Sequence, residues 1–182
     1  SAYHQWLATG APMYPDKPIY GRGFPAPDEP EQAPDYARGE AAYQENCAIC
    51  HQEDGSGHYE NDEYVFPAPW GDGSNNWGAG IARLDTAAGF IQNNMPLGQP
   101  HSLSDQQAWD IAYYVSSQER PQDPRYTGDV AETAERFHGR SLYGKAREHD
   151  DHVLGDHDNF GDKGDARPWN VGMPRFENLS ED

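Results

Sequence analysis

The segment Cys47-Ala48-Ile49-Cys50-His51 constrains this chain more than any other feature of its sequence. Cys-x-x-Cys-His is the attachment signature of a c-type haem, in which each thiol adds across one porphyrin vinyl group and the histidine becomes an axial ligand of the iron. The rival uses of Cys-x-x-Cys are a thioredoxin-like dithiol, which needs no histidine, and a structural zinc site, which needs two more ligands. The chain has only two cysteines. We therefore predict one covalent haem c, with Cys47 and Cys50 as thioethers and His51 on the iron.

A second axial ligand is needed unless the iron is kept open for a substrate. Met95 is the best candidate, because Pro96 ends the preceding helix and fixes the backbone directly after the methionine. A thioether is soft and neutral and favours ferrous iron, so a His/Met pair raises the reduction potential. The alternative for Met95 is a core methionine that fills a packing gap. Weaker candidates for the ligand are Met13, Met173, His58 and His101.

A ligand histidine usually has its other ring nitrogen hydrogen-bonded, and a backbone carbonyl is a common acceptor. The stretch Phe66-Pro67-Ala68-Pro69 has a rigid backbone and follows the haem motif. We expect the carbonyl of Pro67, or of a neighbour in this stretch, to accept from His51.

Two helices are predicted to cross beside the haem. The first covers residues 35–46, with its start marked by Pro34 and Asp35, and it contains Gly39 on one face with Tyr43. A glycine inside a helix costs about 1 kcal/mol relative to alanine, which indicates a close approach of another helix. The second opens with a capping box at Ser104 and Gln107, and its Tyr114 is available to meet the face of Gly39.

The region between these helices is predicted to be an irregular loop over residues 52–80, followed by a short helix over residues 86–93 that is capped by Thr86 or Asp85. Side chains in and after the loop carry donors suited to haem propionates, but ordinary loop packing is an equal alternative. The haem-pocket candidates are Trp70, Asn76, Trp77 and Arg83.

Composition bounds the remaining possibilities. Hydrophobic residues make up 35% of the 182 residues, so a haem would supply much of the apolar core. The formal net charge of −18 disfavours nucleic-acid binding. It fits either a docking face for a basic redox partner or, as we favour, an acidic surface adapted to concentrated salt, as in halophilic proteins.

We divide the chain into a Pro- and aromatic-rich arm (1–33), a haem domain (34–125) and an acidic polar extension (126–182) that wraps the domain. The extension is predicted to hold a short helix over residues 131–137 and to be anchored by Trp169, Met173 and Phe176. Its histidines, among acidic residues, lack a recognised metal-ligand spacing, and we predict no metal beyond haem iron. These histidines are His149, His152 and His157.

The haem motif, Met95, and the run from Leu103-Ser104-Asp105 to Val115 resemble a class I cytochrome c, which implies a mainly α fold of short helices around one haem. Over residues 35–145 the chain is similar to the second, electron-relay haem domain of the dihaem, tetrathionate-forming thiosulfate dehydrogenases. The segments that carry this likeness are Tyr64-Val65-Phe66-Pro67, Trp70-Gly71, Asn76-Trp77-Gly78-Ala79-Gly80, Asn94-Met95-Pro96-Leu97-Gly98 and Glu119-Arg120-Pro121-Gln122-Asp123-Pro124-Arg125.

The resemblance implies His51 and Met95 ligation and a role in sulfur-compound oxidation. The catalytic haem of that family lies in a separate domain, and residues 1–33 hold neither a haem motif nor a cysteine. We therefore expect an electron carrier, with a sulfur-compound oxidoreductase as donor and a downstream cytochrome or oxidase as acceptor. The alternative is an enzyme, or the haem subunit of one, that acts directly on thiosulfate or tetrathionate.

The location of the protein is inferred from the same resemblance. Haem attachment outside the cytoplasm implies a periplasmic protein. No apolar run of the sequence reaches the length of a membrane span. Ser1-Ala2-Tyr3 lacks the features of a signal peptide, so we expect an export signal to have been removed already.

Overall fold

The computed structural model describes residues 24–61 and 63–157. This part is mainly helical, as predicted, and contains one two-stranded antiparallel sheet. None of its helices is both long and apolar enough to cross a membrane. In chain order the elements are α1 (Tyr36–Asn46), α2 (Ala48–His51), β1 (His58–Glu60), β2 (Glu63–Phe66), a short 3-10 helix (Gly80–Ala82), α3 (Leu84–Asn94), α4 (Asp105–Ser116) and α5 (Val130–Phe137).

Helices α1 and α4 cross at Gly39, as predicted. A Cβ atom built on Gly39 would lie 2.1 Å from the backbone oxygen of Asp110, so only glycine permits this approach. Tyr43 and Tyr114 meet at the same crossing, with ring centroids 5.4 Å apart. Both side chains are buried in one core cluster, against which Cys47 and Ile91 also pack.

A buried carboxylate fixes the crossing. Asp110 is 3% exposed and accepts hydrogen bonds from Arg38 at 2.8 and 3.0 Å, from the backbone N–H of Asp35 at 2.9 Å and from the Gln106 amide at 3.0 Å. A buried charge is stable only when it is paired and hydrogen-bonded in this way. The start of α1 is therefore attached to the middle of α4.

The helix starts agree with the sequence in two cases and differ in one. Asp35 caps α1 by accepting from the N–H of Arg38, and Ser104 forms the predicted capping box with Gln107. Helix α3 is present as predicted, but its predicted start and cap were wrong, because it begins at Leu84 and its N-cap is Arg83, without a side-chain cap. Asp85 and Thr86 lie inside its first turn, where the Asp85 carboxylate is near the positive end of the helix dipole.

The loop over residues 52–80 is less irregular than predicted. Strands β1 and β2 form a hairpin in which Tyr59 pairs with Tyr64, and their ring centroids lie 5.0 Å apart. The sequence pattern misses the hairpin because its strands are three and four residues long and mostly exposed, so they show no alternation of apolar and polar residues.

The described residues of both extensions contact the haem domain. Residues 24–33 lie on α3 and α4: the Phe24 ring packs on Phe90, and the Trp109 indole donates to the Asp28 carbonyl at 3.0 Å. Helix α5 covers Val130–Phe137, one residue longer than predicted. The predicted domain boundaries stay predictions, and the predicted anchors Trp169, Met173 and Phe176 lie outside the described residues.

A second core cluster joins the later extension to the loop before α3. Leu142, Tyr143 and Leu154 of the extension are buried with Trp77 and Ala82. A third, smaller cluster of Ala87, Ala88 and Ala112 lies between α3 and α4. The described apolar interior is thus divided among three clusters, none of them large.

Substitution Gly39→Ala should destabilise the protein by about 2–3 kcal/mol, because the added methyl group overlaps the backbone of α4. Urea denaturation of the haem-loaded protein measures the effect. The matched control is Gly80→Ala, whose new Cβ meets nothing within 4 Å and should change stability by less than about 0.5 kcal/mol. A gain in stability for Gly39→Ala, as alanine gives in an open helix, would show that the helices do not meet there.

Candidate haem site

Cys47 lies between α1 and α2, and Cys50 lies within the single turn of α2. Cys47 ends α1, where its N–H donates to the Tyr43 carbonyl at 2.8 Å, and its own carbonyl accepts from Cys50 at 3.1 Å and from His51 at 2.9 Å. Both thiols are unbonded and partly buried. This turn carries Cys47, Cys50 and His51 as one rigid unit.

The electrostatics of Cys47 disfavour the dithiol alternative. Burial, and secondarily the neighbouring Cys50, raise the pKa of Cys47 to about 11. A redox-active Cys-x-x-Cys needs a lowered pKa on its attacking thiol. Cys47 therefore lacks the lowered thiol pKa that disulfide exchange requires.

The orientation of His51 is fixed as the sequence predicts. Its Nδ1 lies 2.7 Å from the carbonyl oxygen of Pro67, directly after strand β2. A carbonyl only accepts, so this contact assigns the proton to Nδ1 and leaves the lone pair on Nε2. The imidazole therefore has the tautomer that a metal ligand requires.

Met95 lies at the C-cap of α3, where its N–H donates to the Ile91 carbonyl at 2.8 Å. The loop that follows returns to α3, because the N–H of His101 donates to the Gln92 carbonyl at 2.9 Å. Gln92 in turn donates to Asp105 at the start of α4. The backbone around Met95 is thus held from both sides. Its role as the second axial ligand stays a prediction.

The other proposed iron ligands have no comparable support. His58 is exposed on β1, and His101 is exposed on the loop after α3. Met13 and Met173 lie outside the described residues.

Each predicted haem-pocket residue has a contact within the protein. Trp70 packs on Tyr43 beside the haem motif, with ring centroids 4.9 Å apart. Trp77 is 1% exposed and lies in the second core cluster, where its indole donates to Glu119 at 3.2 Å. The remaining contacts are Asn76 Oδ1 with the N–H of Gly78 (2.9 Å) and Arg83 with Asp85 (2.8 Å). Their roles as propionate donors stay predictions.

Sequence reasoning missed Arg120 as a candidate functional residue. It is 3% exposed, its guanidinium lies 5.1 Å from the centre of the Trp77 ring, and its Nε has no hydrogen-bond partner within the described part of the chain. Burial, opposed by the charge of Glu119, lowers its pKa to about 10. A buried cation with an unmet N–H suits an anionic group such as a haem carboxylate. Arg120 is therefore a candidate donor to such a carboxylate. The two thiols, the imidazole and the thioether are themselves the donor set that a haem c requires.

The histidines of the extension serve as structural partners. His152 Nε2 lies 2.7 Å from Glu119, while His149 and His157 lie 3.6 Å from Asp150 and Glu119, respectively. Across residues 24–61 and 63–157, no group of three or more ligand side chains is placed to hold a metal ion.

Comparisons with known proteins agree with this geometry. Residues 34–115 match the family model described as cytochrome C oxidase, cbb3-type, subunit III. A thiosulfate dehydrogenase of Thiomonas intermedia (strain K12) is 51% identical over 145 residues, which cover 79% of this chain and 46% of that protein. One from Stutzerimonas stutzeri (strain A1501) is 48% identical over 149 residues, covering 80% of this chain and 48% of that protein.

A solved structure supports the fold. Thiosulfate dehydrogenase (TsdBA) from Marichromatium purpuratum, in its as-isolated form, superposes with a TM-score of 0.76 at 49% identity, covering 85% of this chain and 33% of that chain. The predicted cytochrome c fold and the predicted resemblance are both confirmed. The chain spans about half the length of the curated relatives it matches.

Substitution Trp77→Phe should lower stability by about 1–3 kcal/mol without changing the reduction potential, because it removes a buried hydrogen bond to Glu119. Denaturation and redox titration of the haem-loaded protein measure the two quantities. Trp109→Phe is the control for the potential, since it also removes an indole hydrogen bond, to the Asp28 carbonyl, and Trp109 is not among the predicted haem-pocket residues. A shifted potential in Trp77→Phe alone would instead assign Trp77 to the haem.

Proposed function

Residues 34–115 are a c-type cytochrome domain related to the thiosulfate dehydrogenases, and we propose that this chain is a monohaem electron carrier. The haem supplies a one-electron Fe(III)/Fe(II) couple. Cys47 and Cys50 would hold the porphyrin through thioether bonds, and His51 and Met95 would be the protein ligands of the iron. With two protein ligands, such a haem would serve electron transfer and not substrate binding.

The contact between His51 and Pro67 is the observation that carries this proposal. The 2.7 Å distance sets the proton on Nδ1 and fixes the plane of the imidazole, with Nε2 left to bind the iron. A ligand fixed in this way changes its geometry little when the iron gains or loses an electron. A small change of ligand geometry between the two oxidation states favours fast electron transfer.

We place the carrier in the periplasm, serving sulfur-compound oxidation. A sulfur-compound oxidoreductase is its electron donor, and a downstream cytochrome or oxidase is its acceptor. The relatives named thiosulfate dehydrogenase support this assignment. The contacts of the carrier with its electron donor and its acceptor are expected to be small and transient, as is usual for redox partners. The acidic, salt-adapted surface suggested by the net charge is also part of this proposal.

A second candidate function follows from the names of the relatives. As a haem subunit or enzyme, the chain would act directly on thiosulfate or tetrathionate at an iron that opens when Met95 leaves. The chain spans about half of those relatives, so their activity does not transfer to it as a whole.

Substitution Met95→Ala should abolish the weak absorption band on the red side of the ferric spectrum and lower the reduction potential, because both depend on thioether ligation. Visible spectroscopy and redox titration of the purified haem protein test this. His101→Gln is the control: this exposed side chain lies on the same loop, and its loss should leave spectrum and potential unchanged. Persistence of the band in Met95→Ala would remove Met95 as the ligand.

The haem-loaded chain alone, given thiosulfate and an artificial electron acceptor, should show no turnover. It should nevertheless be reduced and reoxidised reversibly by small redox mediators. Sustained thiosulfate oxidation without a second protein would establish the enzyme function and reject the carrier.

A further inference from the structure

A groove of about 310 Å³ lies between the loop that begins at Trp77 and the segment after α5. Three arginines line it: Arg83, Arg125 and Arg140. Among the described residues, no acidic side chain lines it. The chain has 31 acidic and 13 basic residues, so a groove lined by three cations and no anion departs sharply from its average surface.

The arginines are positioned by carboxylates that do not line the groove. Arg83 Nη2 donates to Asp85 at 2.8 Å, and Arg125 donates to Asp123 through Nε at 3.0 Å and Nη2 at 2.7 Å. Arg140 is held less firmly, with Nη1 3.6 Å from Asp85.

These contacts do not use all the N–H groups of the arginine side chains. A guanidinium has five N–H groups, and the two pairs use one donor atom of Arg83 and two of Arg125. The Nε of Arg83 is buried and has no hydrogen-bond partner among the described residues. The three side chains therefore retain hydrogen-bonding capacity that the described protein does not satisfy.

The groove keeps its positive charge at pH values near 7. Hydrogen bonds from Arg125 hold the pKa of Asp123 at about 2, and burial lowers the pKa of His138, which also lines the groove. His138 is therefore neutral at pH 7, hydrogen-bonded to Asp123 at 2.8 Å and stacked on Tyr143. The positive charge comes from the guanidinium groups of the three arginines.

The groove also has room for a ligand. Its volume corresponds to roughly ten water molecules, which places it at the lower end of the range for small-molecule sites. Gly80 and Gly139 line it, and a Cβ built on either meets no atom within 4 Å. The space beside these two backbone positions is open.

We propose that this groove binds a small divalent oxyanion, hydrogen-bonded by the guanidinium groups of Arg83, Arg125 and Arg140. Planar guanidinium groups match the oxygen pairs of such anions. Neither His51 nor Met95 lines the groove. Two predicted haem-pocket residues, Trp77 and Arg83, do line it, and the inference assigns Arg83 to a bound anion instead of to a haem propionate. The inference does not rest on the proposed electron-carrier function.

Isothermal titration of the ferric haem protein tests the site, with thiosulfate, sulfate and phosphate as probes and chloride as the monovalent control. All titrations are made at one ionic strength. Saturable binding of one divalent anion per chain is expected, with weaker binding at higher salt. The three divalent probes separate a general oxyanion site, which takes all of them, from one selective for sulfur or phosphorus oxyanions.

Two variants and one control locate the binding. Arg140→Gln should weaken affinity about five- to tenfold, the usual effect of losing one charged hydrogen bond. Gly139→Ala should weaken it by narrowing the groove, without loss of stability. Arg136→Gln should have no effect, because Arg136 is exposed, paired with Glu132 and outside the groove.

Absence of saturable binding to the native protein would overturn the proposal. So would equal losses of affinity in Arg140→Gln and Arg136→Gln, which would indicate attraction to surface charge in general. Neither result bears on the electron-carrier function, because anion binding is read without any redox step.

Discussion

The missing side chain at Gly39 lets α1 and α4 approach until backbone meets backbone, and most of the site depends on this contact. Because α1 leads directly into Cys47, the crossing fixes where the haem motif begins. It also brings Tyr43, Tyr114 and Trp70 into one aromatic cluster beside that motif. The Asp110 carboxylate, with its hydrogen bonds from α1, prevents the two helices from sliding along each other.

The features that could be predicted from sequence are those set by local chemistry. The Cys-x-x-Cys-His motif, the Ser104 capping box and the glycine at the crossing each need only a few neighbouring residues to be recognised. The acceptor for His51 was predictable because a proline-fixed backbone follows the motif closely. Their contacts in the structure agree with these predictions.

The remaining features depend on contacts that span the chain. The hairpin has strands too short to show a pattern, and the start of α3 at Leu84 is not marked by a capping side chain. Arg120 reads as an ordinary surface arginine in the sequence and becomes notable only through its burial against Trp77, 43 positions earlier. The arginine groove likewise combines residues from positions 77 to 141, a relationship that spacing along the chain does not reveal.

The hydrogen bond from His51 to Pro67 has a mechanical consequence. Pro67 directly follows β2, so the imidazole is attached to a hairpin at the surface, where Tyr59, Tyr64 and Val65 are exposed. The proline ring fixes φ at Pro67, so a displacement of the hairpin would be transmitted to the carbonyl that contacts His51. A force on the exposed face of the hairpin would therefore move the imidazole, including Nε2, the ring nitrogen that points away from Pro67.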